Sequence, residues 1–99
     1  MRVAIVENTR VTHHGQIGVA LHEAGARIDL FKPHLGQPLP QDAADHDALI
    51  VFGGEQNALA DDTHPYLPKL AKLITRFTAA DRATLGICLG SQLTARAFG

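Results

Sequence analysis

The stretch ATLGICLGSQL, residues 83–93, changes character in its middle. Its first half is an apolar run and reads as a strand. Its second half reads as the start of a helix running from about Leu89 toward Phe98. Between them, Gly86, Cys88 and Gly90 have the spacing of a nucleophile elbow, G-x-S-x-G, with cysteine in place of serine. In that turn the nucleophile stands exposed between strand and helix. Side chains two residues before and after it would collide with neighbouring backbone, so glycine is favoured there. The positive end of the following helix favours a thiolate at Cys88. The N–H of Leu89, left without an intrahelical partner, is available to an oxyanion. The bland alternative is a buried cysteine acting as a small hydrophobe; the strand–turn–helix setting argues for the nucleophile.

The same pattern repeats upstream. RVAIVE (residues 2–7) is a short apolar run rich in β-branched residues and reads as a strand; ARIDLF (26–31) and DALIVF (47–52) read as the second and third strands. Between the first two, Ile17, Ala20, Leu21 and Ala24 recur at helical spacing, and Gly25 is a stop signal. KPHLGQPLPQ (32–41), with three prolines and a glycine, reads as a loop. Asp62 or Thr63 is placed to cap the next helix, with Pro65 in its first turn. Leu67, Leu70, Ala71, Ile74 and Phe77 form its apolar face. Strands alternating with amphipathic helices specify an α/β fold: a doubly wound, flavodoxin-like parallel sheet of four strands with flanking helices. Ligands of such sheets gather at the carboxyl ends of the strands. The polar loop after the first strand, Gly53-Gly54 after the third and Cys88 after the fourth all fall there. Gly53-Gly54 reads alone as a turn. Beside the elbow, the Gly54 N–H becomes a candidate second oxyanion donor.

LGICLGSQL resembles the nucleophile segment of class I glutamine amidotransferases. VFGGEQNALADDTHPYLPKLAKLI resembles the segment preceding it in the branch related to the amidotransferase domain of GMP synthetase. Glu55 stands where many members have proline, and Ser91 where many have His or Ala. The resemblance implies that Cys88 attacks the side-chain amide of glutamine to form a γ-glutamyl thioester. It also implies that the amides of Gly54 and Leu89 form the oxyanion hole, and that Gly53 and Gln92 bind the substrate. Without it, Gln92 reads as a solvated helix residue. No cofactor and no metal are implied.

The family's His-x-Glu-type pair lies well downstream of the nucleophile, and no histidine follows Cys88 in the 99 residues here. The expectation is therefore the N-terminal part of one amidotransferase domain over residues 1–99, with little glutaminase activity by itself. Of six histidines, only His13 and His14 lie in a loop expected to reach the carboxyl end of the sheet. Exposed loop histidines are usually solvated, and the set lacks the tight spacing of a zinc site.

Composition sets the outer limits. A net charge of −1 without a basic stripe gives no footprint for nucleic acid. No apolar run approaches a membrane span, and a single cysteine fits a reducing, cytoplasmic location. The expected partners are a small-molecule substrate, glutamine or a γ-glutamyl compound, and a synthetase receiving ammonia. Three other readings compete. One is a γ-glutamyl hydrolase of the same fold. Another is a protease-like relative with Glu7 beside the elbow. The third is a non-catalytic flavodoxin-like half-domain. A receiver domain is disfavoured because strand three ends in glycines rather than a phosphorylatable Asp, and no G-x-x-x-x-G-K-[ST] phosphate loop occurs.

Overall fold

A computed structural model describes residues 1–8, 14–53, 65–87 and 95–98. In chain order these form β1 (Arg2–Val6), α1 (Gly15–Glu23), β2 (Arg27–Phe31), a 3₁₀ turn (Pro33–Leu35), β3 (Ala48–Val51), α2 (Leu67–Ala79) and β4 (Ala83–Gly86). The strands make one parallel sheet in the order β2-β1-β3-β4. This is the expected doubly wound α/β arrangement: β2 is added on one side of β1, and β3 and β4 on the other. Residues 95–97 are helical, within the expected last helix; the start of that helix lies outside the described residues.

Two apolar layers flank the sheet. Ala4 and Val6 of β1 and Leu49 and Val51 of β3 pack against Leu70, Leu73, Ile74 and Phe77 of α2. Val3, Ile5, Ile50 and Phe52 face the other way, toward Ile17 and Leu21 of α1. Strict alternation along each strand sends neighbouring residues to opposite layers. The α2 layer is the deeper one. Six residues of α2 are buried, whereas α1 buries none completely.

Several local expectations are corrected. α2 begins at Leu67 with Tyr66 as its N-cap, so Pro65 precedes the helix instead of lying in its first turn; Asp62 and Thr63 lie outside the described residues. Pro68 occupies the first turn, where its missing N–H removes no intrahelical bond. The proline-rich loop contains the 3₁₀ turn Pro33–Leu35, closed by Gly36 in the left-handed region. β2 and β4 are only partly buried rather than covered on both faces. They bound the described sheet, and β2 places Arg27 and Asp29 on its strand. Gly25 ends the first helical segment as expected, with a φ of +69°.

A polar cluster fastens β1 and β2 on one flank. Asp29 Oδ2 accepts hydrogen bonds from His46 Nε2 and Arg2 Nη2, both at 2.8 Å. These bonds, His46 first, hold the Asp29 carboxyl below its ordinary value of 3.8. Asp47 is lowered as well, chiefly because its Oδ2 accepts the Arg2 backbone N–H at 2.8 Å. A carboxylate with a depressed folded pKa stabilises the fold fully above its unfolded pKa. That stabilisation is lost as pH falls through the folded value. Thermal melts should therefore show a loss of stability setting in below pH about 4. Asp29→Asn should flatten that acid limb; an unchanged limb would show that Asp29 is not its source.

Candidate functional site

The carboxyl ends of β1, β3 and β4 are tied together by continuing ladder bonds. Phe52 N donates to Val6 O at 3.0 Å, and Ile87 N donates to Val51 O at 2.9 Å. Gly53, half-buried, is thereby held one residue past the end of this ladder, next to the chain that leads from Gly86 and Ile87 toward Cys88. Gly54, Cys88, Leu89, Gly90 and Gln92 lie outside the described residues, as does His13. The described part of the site is therefore its platform.

Two consecutive buried polar residues close β1. Glu7 is 8% and Asn8 1% exposed. Glu7 turns toward the α1 layer, where its Oε2 lies 2.8 Å from His14 Nε2. Its Oε1 lies 3.7 Å from Lys32 Nζ. The His14 ring stacks on Phe52 with centroids 4.8 Å apart. Gly18 permits this placement: a Cβ there would sit 2.9 Å from the Cβ of His14. The loop histidine expected to be solvated is thus a fixed partner of Glu7, one helical turn before α1 is fully formed. His34, read as an ordinary loop residue, also reaches this end of the sheet. Its Nδ1 lies 3.0 Å from the Glu7 carbonyl oxygen, and its Nε2 is buried with no hydrogen-bond partner among the described residues.

Asn8 turns toward the α2 layer. Its Nδ2 donates to Phe52 O, and its Oδ1 accepts from Tyr66 Oη, both at 2.9 Å. One side chain thereby joins the ends of β1 and β3 to the start of α2. Sequence reasoning passed over Asn8 and Tyr66. A signal was present in both: a polar residue ending a buried apolar run, and an aromatic hydroxyl immediately before the helix. Asn8→Ala removes two buried hydrogen bonds and should cost about 1–3 kcal/mol. Tyr66→Phe removes the hydroxyl alone and should cost about 0.5–1.5 kcal/mol. Urea unfolding of both single variants and the double variant checks this: the two losses should not add, because the residues share a bond.

Along the outer side of α2 runs a cleft of 720 Å³ between that helix and the proline-rich segment 33–41. Tyr66 and His34 belong to both the cleft and the strand-end platform. Among the described residues no three His, Cys, Asp or Glu side chains are grouped as a metal ion would require. Nor is any described helix long and apolar enough to cross a membrane.

In sequence, the third strand of the parallel sheet leads into Gly53-Gly54 and the fourth into a glycine-flanked cysteine. Residues 7–99 match the family model "Glutamine amidotransferase class-I", and the chain belongs to that family. It is 34% identical to the glutamine amidotransferase-like protein YfeJ of Salmonella typhimurium over 100% of this chain and 43% of that protein. It is 28% identical to Gamma-glutamyl peptidase 4 of Arabidopsis thaliana over 88% of this chain and 34% of that protein. The crystal structure of a glutamine amidotransferase from Methylobacillus flagellatus superposes with a TM-score of 0.92. It is 30% identical over 99% of this chain and 39% of its own length. A Thermotoga maritima glutamine amidotransferase, 24% identical, superposes with a TM-score of 0.89 over 99% of this chain and 43% of its own. The chain thus spans less than half the length of these relatives.

Proposed function

We propose that Cys88 is the nucleophile of a glutamine-hydrolysing site and that the whole protein releases ammonia from glutamine. The observation that carries this reading is the family match over residues 7–99, which includes the Gly86, Cys88 and Gly90 spacing. In the proposed reaction the Cys88 thiolate attacks the γ-carbonyl carbon of glutamine. The amides of Gly54 and Leu89 hold the negative oxygen that forms. The carbon–nitrogen bond breaks, and nitrogen leaves as ammonia after taking a proton. Water then cleaves the γ-glutamyl thioester, giving glutamate and restoring the thiol. Gly53 and Gln92 position the substrate. The base and acid for these transfers, a His oriented by a carboxylate, are supplied by the part of the relatives' length that this chain does not span. The ammonia passes to a synthetase partner or domain.

A second reading is favoured by the likeness to Gamma-glutamyl peptidase 4. The same nucleophile would then act on a γ-glutamyl peptide, and the leaving group would be the amine of a peptide instead of ammonia. Both readings share the thioester, so both predict glutamate as product. The test is a glutamate-release assay on the protein as its gene encodes it, with glutamine and a γ-glutamyl dipeptide as substrates. Release that requires Cys88 supports the mechanism; release from neither compound rejects both readings.

A further inference from the structure

The strand order β2-β1-β3-β4 puts the topological switch point between β1 and β3, where open parallel sheets part to form a ligand crevice. One buried side chain bridges that point. Asn8, 1% exposed, donates from Nδ2 to Phe52 O at 2.9 Å. In a continuing parallel ladder the main-chain N–H of Asn8 would take this carbonyl. The β1–β3 ladder ends at Val6 and Val51, and a side-chain amide reaches the carbonyl beyond it. The amide is itself held in one orientation. Its Oδ1 accepts from Tyr66 Oη at 2.9 Å, and a carbonyl oxygen only accepts, so Nδ2 is the group turned to Phe52.

What Asn8 grips is the peptide unit between Phe52 and Gly53. That unit is planar and trans, so its carbonyl and its N–H point in opposite directions. With Phe52 O directed at the end of β1, the Gly53 N–H is directed toward β4. β4 is the strand whose chain continues through Ile87 to Cys88. Other contacts fix the residue before this peptide. Phe52 N donates to Val6 O at 3.0 Å, and the Phe52 ring stacks on His14 with centroids 4.8 Å apart. Ile87 N donates to Val51 O at 2.9 Å and sets the spacing to β4. The hold on the Phe52 carbonyl comes from Asn8.

We infer that Asn8 is a positioning residue: held by Tyr66, it grips the Phe52 carbonyl and so aims the Gly53 N–H toward the β4 side of the crevice. The inference rests on the glutamine-hydrolysing reading, in which Gly53 positions the substrate. Asn8 contacts no reacting atom in that scheme and acts through one peptide plane. Tilting that plane would move the bound γ-amide relative to the attacking sulfur. A misplacement of about 1 Å can cost about a hundredfold in rate.

Asn8→Asp is the most selective variant. Its carboxylate still accepts from Tyr66 but has no N–H for the Phe52 carbonyl. Glutamate release from glutamine is measured on the protein as its gene encodes it. In Asn8→Asp, kcat should fall about 10- to 100-fold, with KM changed less than about threefold. Tyr66→Phe keeps the amide and frees it to turn, so its kcat should fall by about three- to tenfold; if Asn8→Asp fails to fold, this variant carries the test. Both losses should persist in a stabilising osmolyte, whereas a loss that acts only through stability is recovered there. Alkylation of Cys88 by iodoacetamide needs the sulfur but not the Gly53 peptide, and should keep the unsubstituted rate. An unchanged kcat in either folded variant, full recovery in osmolyte, a loss confined to KM or slowed alkylation would overturn the inference. The two proposals fail differently. If the unsubstituted protein releases no glutamate from glutamine, the hydrolytic reading falls and takes the inference with it. If it releases glutamate and both variants match it, the reading stands and Asn8 has no part in positioning.

Discussion

Cys88→Ala should reduce glutamate release by roughly a factor of 10⁶, the loss seen when a nucleophile that works together with its base is removed. The effect should fall on kcat. Substrate contacts at Gly53 and Gln92 are proposed to be independent of the sulfur, so binding of glutamine should change little. Cys88→Ser is the informative companion. Its hydroxyl is close in size to the thiol but remains protonated at neutral pH, whereas a thiol ionises far more readily than a hydroxyl. Serine should therefore be nearly as inactive as alanine if thiolate formation is what the elbow supplies. Substantial activity in the serine form would mean that a general base acts directly on the nucleophile. Undiminished activity in the alanine form would remove Cys88 from the mechanism altogether. Mass spectrometry of the unsubstituted protein during turnover should detect a γ-glutamyl adduct on the peptide containing Cys88.

Phe77→Ala should destabilise the fold by about 3–5 kcal/mol, the usual range for emptying a buried phenylalanine site. Phe77 is fully buried in the last turns of α2, among Leu70, Leu73, Ile74 and the inward residues of β1 and β3. Its carbonyl also accepts the Arg82 N–H at 2.9 Å, which fixes the turn into β4. The loss should be larger than for any single truncation within α1, because α1 buries no residue completely. Leu21→Ala in α1 is the comparison, since its side chain is only half-buried. Denaturant unfolding of both variants measures the contrast; an equal loss in the two would show that the layers contribute alike. Because Phe77 lies near the end of α2 opposite Tyr66 and the strand-end platform, any activity lost should return on addition of a stabilising osmolyte.

The fold was readable where burial is nearly complete. RVAIVE and DALIVF are apolar on both faces because β1 and β3 are the central strands, and their runs fall within a residue of the observed ends. β2 was read with the same assurance, but RIDLF places Asp29 on a strand that bounds the described sheet, where half the positions meet water. The start of α2 differs from the reading at Pro65, because a proline suits the first turn of a helix at either position 65 or 68 and local chemistry does not choose between them. The 3₁₀ turn Pro33–Leu35 is too short to leave a period. At the site, the glycine spacing around Cys88 stands out in the letters because close backbone approach restricts residue type, and Cys88 and Gly90 lie outside the described residues. The Glu7–His14 contact was only half legible: each residue was noticed, but not their pairing. His34 was not legible at all, because its partner is a backbone carbonyl 27 positions away, and a carbonyl leaves no mark in the residue letters.

Glu7 and Asn8 are adjacent in the chain and serve opposite sides of the sheet, one held by His14 and the other by Tyr66. This parity limits how the gene can vary. Loss or gain of a single codon within β1 would reverse every side chain beyond it, turning the acid toward α2 and the amide toward α1. The apolar residues preceding them would exchange layers in the same event. A deletion or insertion between Arg2 and Asn8 should therefore cost far more stability than one in a surface loop.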